Sequence, residues 1–189
     1  TPYTSSAASD VYKRQTEGDT VADIPKRVTS IGDRAFIGCK GLTKVIIPNR
    51  VTRIGDKAFL DCHSLASIEI PNSVTSIGYF AFQGCYALKD VTIPRNVKEI
   101  GPHAFSLCIS LTSVTILASI KHINIYVFYG CRALKEITIP SSVIRLCRGA
   151  FSHCNSLTSV TFLGSIIKSI GPDAFSDCKS LTSVTTMGN

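Results

Sequence analysis

IPNSVTSIGYFAFQGCYALKDVTIP, residues 70–94, opens and closes on an Ile-Pro pair and carries Phe80 and Phe82 between. Its Phe82 recurs as Phe36, Phe59, Phe105, Phe128, Phe151 and Phe175, at spacings of 23, 23, 23, 23, 23 and 24 residues. Three residues after each stands a cysteine: Cys39, Cys62, Cys85, Cys108, Cys131, Cys154 and Cys178. Three further on stands Leu42, Leu65, Leu88, Leu111, Leu134, Leu157 or Leu181. Seven units in register are the signature of a repeat architecture, in which each unit buries its apolar face only against its neighbours.

One unit reads C-x-x-L-x-x-[VI]-x-I-P-x-x-V-x-x-I-G-x-x-A-F-x-x. Within it, Leu65, Ile68 and Ile70 alternate with polar residues before Pro71, as in a short strand buried on one face. Proline lacks an N–H and ends the ladder there. A second extended piece carries Val74 and Ile77, and Ala81-Phe82 then enters the interior in a compact turn or 3₁₀ segment. Gly32, Gly55, Gly78, Gly101 and Gly171 share one slot, where a left-handed turn is expected. Asn124 and Cys147 replace them in the fifth and sixth units. Asparagine tolerates that conformation, whereas Cys147 predicts a distorted turn and the most exposed thiol. The expected fold is a repeat solenoid of seven 23–24-residue units, mainly short parallel β-strands joined by turns and 3₁₀ segments.

These residues, 70–94 above all, closely resemble the BspA-type leucine-rich repeat, and the resemblance extends over about residues 24–186. It implies a surface or adhesin-like protein of the kind found in anaerobic bacteria and parasitic protists, binding matrix or host proteins without catalysis. Two units depart from the pattern: residues 116–120 lack the Ile-Pro pair, and Phe162-Leu163 stands in its place later. Thr186 also occupies a slot where an apolar residue belongs. The extra residue of the last interval is expected in a loop at 163–166.

At the start, SSAASDVYKRQ (residues 5–15) agrees with the in-frame translation of a transposase adapter used in sequencing libraries. Residues 1–15 are therefore excluded from fold reasoning. Residues 16–23 are expected to be a partial first repeat or disordered, and 24–189 the solenoid, a fragment without natural caps.

The chain is 44% hydrophobic and 17% charged over 189 residues, ample for a core. Its apolar runs fall far short of the ~18 residues of a spanning helix, so no membrane insertion of this segment is expected. The net charge is +7, and Lys26, Arg27, Arg34, Lys40, Lys44, Arg50, Arg53 and Lys57 concentrate it in the first two units. Asp33, Asp56 and Asp61 are interleaved there, which fits a solvated face better than a nucleic-acid groove.

Cysteines one rung apart would lie near strand spacing, so distance alone permits disulfides. Seven parallel thiols cannot pair completely, however, and free cysteine packs as a small hydrophobe. A free structural ladder is the expectation, with no metal and no cofactor. His63, His103, His122 and His153 occupy four different slots and offer no convergent ligand set. No phosphate loop or nucleophile elbow appears, so no enzyme is expected.

Two surfaces remain. The outward strand positions, taken as a concave face, include Lys44, Ser67, Glu69, Lys89, Asp90, Thr92, Ser113, Thr115, Lys135, Glu136, Thr138, Ser159 and Thr161. They are polar, hydroxyl-rich and nearly neutral, without the aromatic anchors of a tight interface. Tyr79, Phe80, Tyr86, Tyr126 and Tyr129 form a candidate aromatic patch. The function expected is a non-catalytic module binding a host, matrix or self protein at the cell surface or in secretion. An intracellular interaction scaffold is the alternative, and diffuse polyanion binding a third.

Overall fold

The computed structural model of the chain describes residues 21–164 and 167–188. The adapter-like stretch 1–15 lies outside them. Each coil contributes two strands and one turn. The first strand series is β1 (Val21–Asp23), β3 (Lys44–Ile46), β5 (Ser67–Ile68), β7 (Asp90–Ile93), β9 (Ser113–Ile116), β11 (Glu136–Ile139), β13 (Ser159–Leu163) and β15 (Ser183–Met187). The second is β2 (Ser30–Ile31), β4 (Arg53–Ile54), β6 (Ser76–Ile77), β8 (Glu99–Ile100), β10 (His122–Ile123), β12 (Arg145–Leu146) and β14 (Ser169–Ile170). All pairings are parallel and advance by one coil, as in Asp90↔Ser113 and Ser76↔Glu99. The sheet thus begins at Val21, inside the stretch read as a partial repeat or disordered.

Where a proline follows the first strand, its carbonyl closes the following turn. Val51, Val74, Val97 and Val143 donate their N–H to Pro48, Pro71, Pro94 and Pro140 at 3.0–3.2 Å. The second series is interrupted between β8 and β10.

The third side of the coil is a turn whose N–H groups bond to the next coil. Phe80, Phe82 and Gly84 donate to Pro102, Ala104 and Ser106 at 3.0, 2.7 and 3.0 Å. Left-handed residues interrupt it twice per coil, so it forms successive single turns and not a continuous 3₁₀ helix. Those residues are Arg34, Lys57, Phe80, His103, Tyr126, Gly149 and Asp173 in one slot. Gly38, Asp61, Gly84, Leu107, Gly130, His153 and Asp177, each directly before a ladder cysteine, fill the other.

The expected left-handed slot is therefore displaced. Gly55, Gly78, Gly101, Gly171, Asn124 and Cys147 do not have positive φ. Glycine is needed there for close approach: a Cβ on Gly101 would lie 2.6 Å from Tyr79 N and 2.7 Å from Gly78 C. Asn124 fits by donating its side-chain Nδ2 to Ile100 O at 3.1 Å. In the other coils that strand carbonyl receives the slot's own N–H, as in Gly101 N to Ile77 O at 2.8 Å. The Cys147 turn is not distorted, since its N–H reaches Ile123 O at 2.9 Å like its counterparts.

Inside, Phe59, Phe82, Phe105, Phe128 and Phe151 are fully buried. From Phe36 to Phe175 the rings stack with centroids 5.1–5.7 Å apart and planes within 5–12°. Each fully covered apolar side chain is worth roughly 1.5–3 kcal/mol. The register shifts from 23 residues at Phe162 to 24 at Ser169, and Gly164, with φ +88°, donates its N–H to Met187 O at 2.8 Å.

Candidate functional site

The cysteine ladder comes first because it carries the most reactive atoms. All eight cysteines are free. Cys62, Cys85, Cys108, Cys131 and Cys154 are buried, while Cys39 and Cys178, at the ends, are partly covered. Each thiol from Cys62 to Cys178 donates to the phenylalanine carbonyl of the coil before, Sγ to O distances running 3.1–3.4 Å. The cysteine slot thus fills a small apolar space and supplies a weak inter-coil donor, which a filler such as alanine cannot. Burial pushes Cys62 and Cys108 up to about 12, and Cys85 and Cys131 well above their ordinary value. Such thiols resist ionisation and are poor nucleophiles. Cys147 does not stand apart, being partly covered like Cys39 with its thiol likewise raised by burial.

The outer face of the first sheet is an ordered set of columns. One runs through Lys44, Ser67, Asp90, Ser113, Glu136 and Ser159, and its neighbour through Glu69, Thr92, Thr115, Thr138 and Thr161. The register places Asp90 beside Ser113, Thr92 beside Thr115, Glu136 beside Ser159 and Thr138 beside Thr161. Lys89 and Lys135 are exposed at the strand entries. Their carbonyls accept the hydroxyls of Thr112 and Thr158 at 3.0 and 2.9 Å. Part of the hydroxyl content is therefore structural, sewing one coil to the next.

The basic residues of the first coils are partly neutralised. Arg53 Nη2 lies 2.9 Å from Asp33 Oδ1, and Lys57 Nζ sits 5.6 Å from the Phe80 ring centroid.

The aromatic residues divide. Tyr79 makes no ring contact among the described residues, and Tyr86 stacks on His63 at 4.5 Å. Phe80, Tyr126 and Tyr129 join a row on the turn side that histidines complete. Phe80 meets His103 at 4.7 Å and His103 meets Tyr126 at 5.1 Å. Tyr126 meets Tyr129 edge-on at 5.5 Å, and Tyr129 meets His153 at 5.1 Å. His153 Nδ1 in turn lies 3.1 Å from Asp177 Oδ2. Reading slot by slot leaves His103 and His153 as scattered decoration, because the contacts join different slots of adjacent coils. Burial lowers the His103 pKa below its ordinary value. An open pocket of about 250 Å³ lies in this row, lined by Gln83, His103, Ser106, Leu107, Tyr126 and Tyr129. No group of three or more His, Cys, Asp or Glu side chains is placed to hold a metal among the described residues. No helix among them is long and apolar enough to cross a membrane.

Known proteins place this architecture. A leucine-rich repeat protein of T. pallidum is 28% identical over 86% of this chain and 78% of its own, with a TM-score of 0.73. One from Bacteroides ovatus is 29% identical over 89% of this chain, with a TM-score of 0.58. The chain spans 55% of that protein's length. A leucine rich cell surface protein from Faecalibacterium prausnitzii is 25% identical over 97% of this chain and 63% of its own, at a TM-score of 0.51. No curated protein matches significantly. The BspA type leucine rich repeat region matches residues 19–135 and 99–189, in six copies. The chain belongs to the BspA-type leucine-rich repeat family.

Proposed function

We propose that this chain is a non-catalytic protein-binding module of a cell-surface or secreted adhesin-like protein. The observation that carries the reading is the outer sheet face, where exposed polar columns cross successive strands with little apolar area. A face of that kind makes many weak polar contacts and serves a partner engaged over a long surface. The buried, proton-holding thiols leave the cysteine ladder a structural part, and the likeness to a cell surface protein of F. prausnitzii supports the location.

Binding of the full chain to purified extracellular-matrix proteins, measured by interferometry at physiological salt, tests the reading. The expected result is micromolar affinity that falls at least about tenfold when Asp90 and Glu136 are both changed to lysine, rim charges being worth about a kcal/mol each. No binding to any matrix protein, or binding indifferent to that double change, overturns it.

A further inference from the structure

The pocket on the turn side is a built feature. Two slots converge there: one supplies His103 and Tyr126, and the other Gln83, Ser106 and Tyr129 on three successive coils. Glycines let the walls lean. A Cβ on Gly149 would meet the Tyr126 ring, and one on Gly130 would lie 2.8 Å from Leu107 Cδ2. Tyr126 and Tyr129 stand at 88° to one another, forming a corner of two aromatic planes. Ser106, only 1% exposed, lies in the lining, and its hydroxyl makes no hydrogen bond among the described residues.

We propose that this pocket is a subsite for a neutral pyranose sugar ring. None of the six lining residues is a lysine, arginine or carboxylate, so neither an anion nor a cation finds its counter-charge there. The lowered His103 pKa keeps that ring uncharged at neutral pH as well. A purely apolar occupant would leave the Gln83 amide and the Ser106 hydroxyl desolvated without partners, which is costly. A pyranose satisfies both demands, because its C–H face packs on the tyrosines while its hydroxyls meet the amide, the serine and the phenols. At about 250 Å³ the pocket sits just below the range of roughly 300–1,000 Å³ usual for small-molecule sites, which suits one ring. Nothing in this reading depends on protein binding by the sheet face.

Methyl pyranosides titrated into the full chain, followed by NMR of the Tyr126, Tyr129 and His103 ring signals, test the proposal. The expected result is saturable shifts of these three rings at about millimolar sugar, with one stereoisomer preferred. Tyr129→Ser and Tyr126→Gly place there the residues that later coils already hold in those slots, Ser152 and Gly149, so folding is retained. Each should weaken binding about two- to tenfold, the loss expected of one aromatic contact, with the thermal midpoint lowered by no more than about 4 °C. Tyr79→Ala, outside the pocket, should leave it unaltered. The proposal is overturned if no pyranoside shifts these signals at ~100 mM, about a hundredfold above the expected affinity. It is equally overturned if the shifts survive both tyrosine changes. Saturable shifts with tetramethylammonium or p-cresol but with no sugar would overturn it too, marking a cation cage or a side-chain pocket instead.

Discussion

Two columns of rings run along the same turn, one inside and one outside, and they obey different rules. Inside, the phenylalanines repeat with planes within 5–12° of each other. Outside, the Phe80–His103–Tyr126 row starts at 17°, passes 34° and breaks to 88° at Tyr129. Every inner ring meets the same neighbours above and below, so one residue type satisfies all positions. The outer row is open on one side, and its members change from coil to coil without disturbing the backbone. Stability therefore resides in the repeated column and individuality in the varied one.

The sharpest test of that division is Phe105→Ala. Phe105 is fully buried between Phe82 and Phe128, and its removal should cost about 3–5 kcal/mol in urea unfolding. The outer counterpart Tyr126→Gly should cost less than ~1 kcal/mol, since a partly exposed position with positive φ suits glycine. Comparable losses at the two positions would erase the distinction.

Gly101→Ala should follow, at about 3 kcal/mol by the same measurement, because its Cβ would meet backbone atoms that cannot rotate away. Gly38→Ala separates close approach from backbone strain. Its Cβ would touch nothing within 4 Å, so only the φ of +69° is penalised, at about 1–2 kcal/mol.

That pair also shows what the sequence makes legible. The Phe, Cys and Leu slots can be read because one environment recurs in every coil. The glycine slot can be seen but its cause cannot, since the clash it avoids is with another coil. The left-handed slot before each cysteine does leave a trace, holding Gly38, Asp61, Gly84, Gly130 and Asp177, types tolerant of positive φ. Its companion leaves none: Arg34, Lys57, Phe80, His103 and Tyr126 share no conformational preference. The inter-coil hydrogen bonds impose that conformation. The aromatic members Phe80, Tyr126 and Tyr129 are visible in sequence, whereas the histidines between them are not, because the row crosses slots.

The thiols give a smaller, pH-dependent effect. Cys62 and Cys108 are raised from an ordinary 9.0 to about 12 in the folded chain. Above pH 9 the unfolded chain releases these protons while the folded chain holds them, so the unfolded state binds fewer and stability falls as pH rises toward 12. Each thiol contributes about 1.4 kcal/mol of loss per pH unit in that window. Urea titrations at pH 8, 10 and 11 should show the decline, and Cys108→Ala should lessen its slope by one thiol's share, about 1.4 kcal/mol per pH unit. Cys85 should react with thiol reagents only after unfolding, and rapid labelling of the folded protein would contradict its burial.

The smallest effect should belong to the first contact of the outer row, Lys57 above Phe80 at 5.6 Å. A half-exposed cation over an aromatic face is worth about 0.5–1 kcal/mol, less when salt screens it. A double-mutant cycle of Lys57→Met and Phe80→Leu, measured by urea unfolding, should return a coupling within that range. Both replacements keep bulk on the surface, so the cycle isolates the cation–ring contact from lost packing. A coupling above ~2 kcal/mol would mean that the cation is desolvated and the outer row is a structural column like the inner one. Substituting it freely would then be impossible, and its variation from coil to coil could no longer be read as surface individuality.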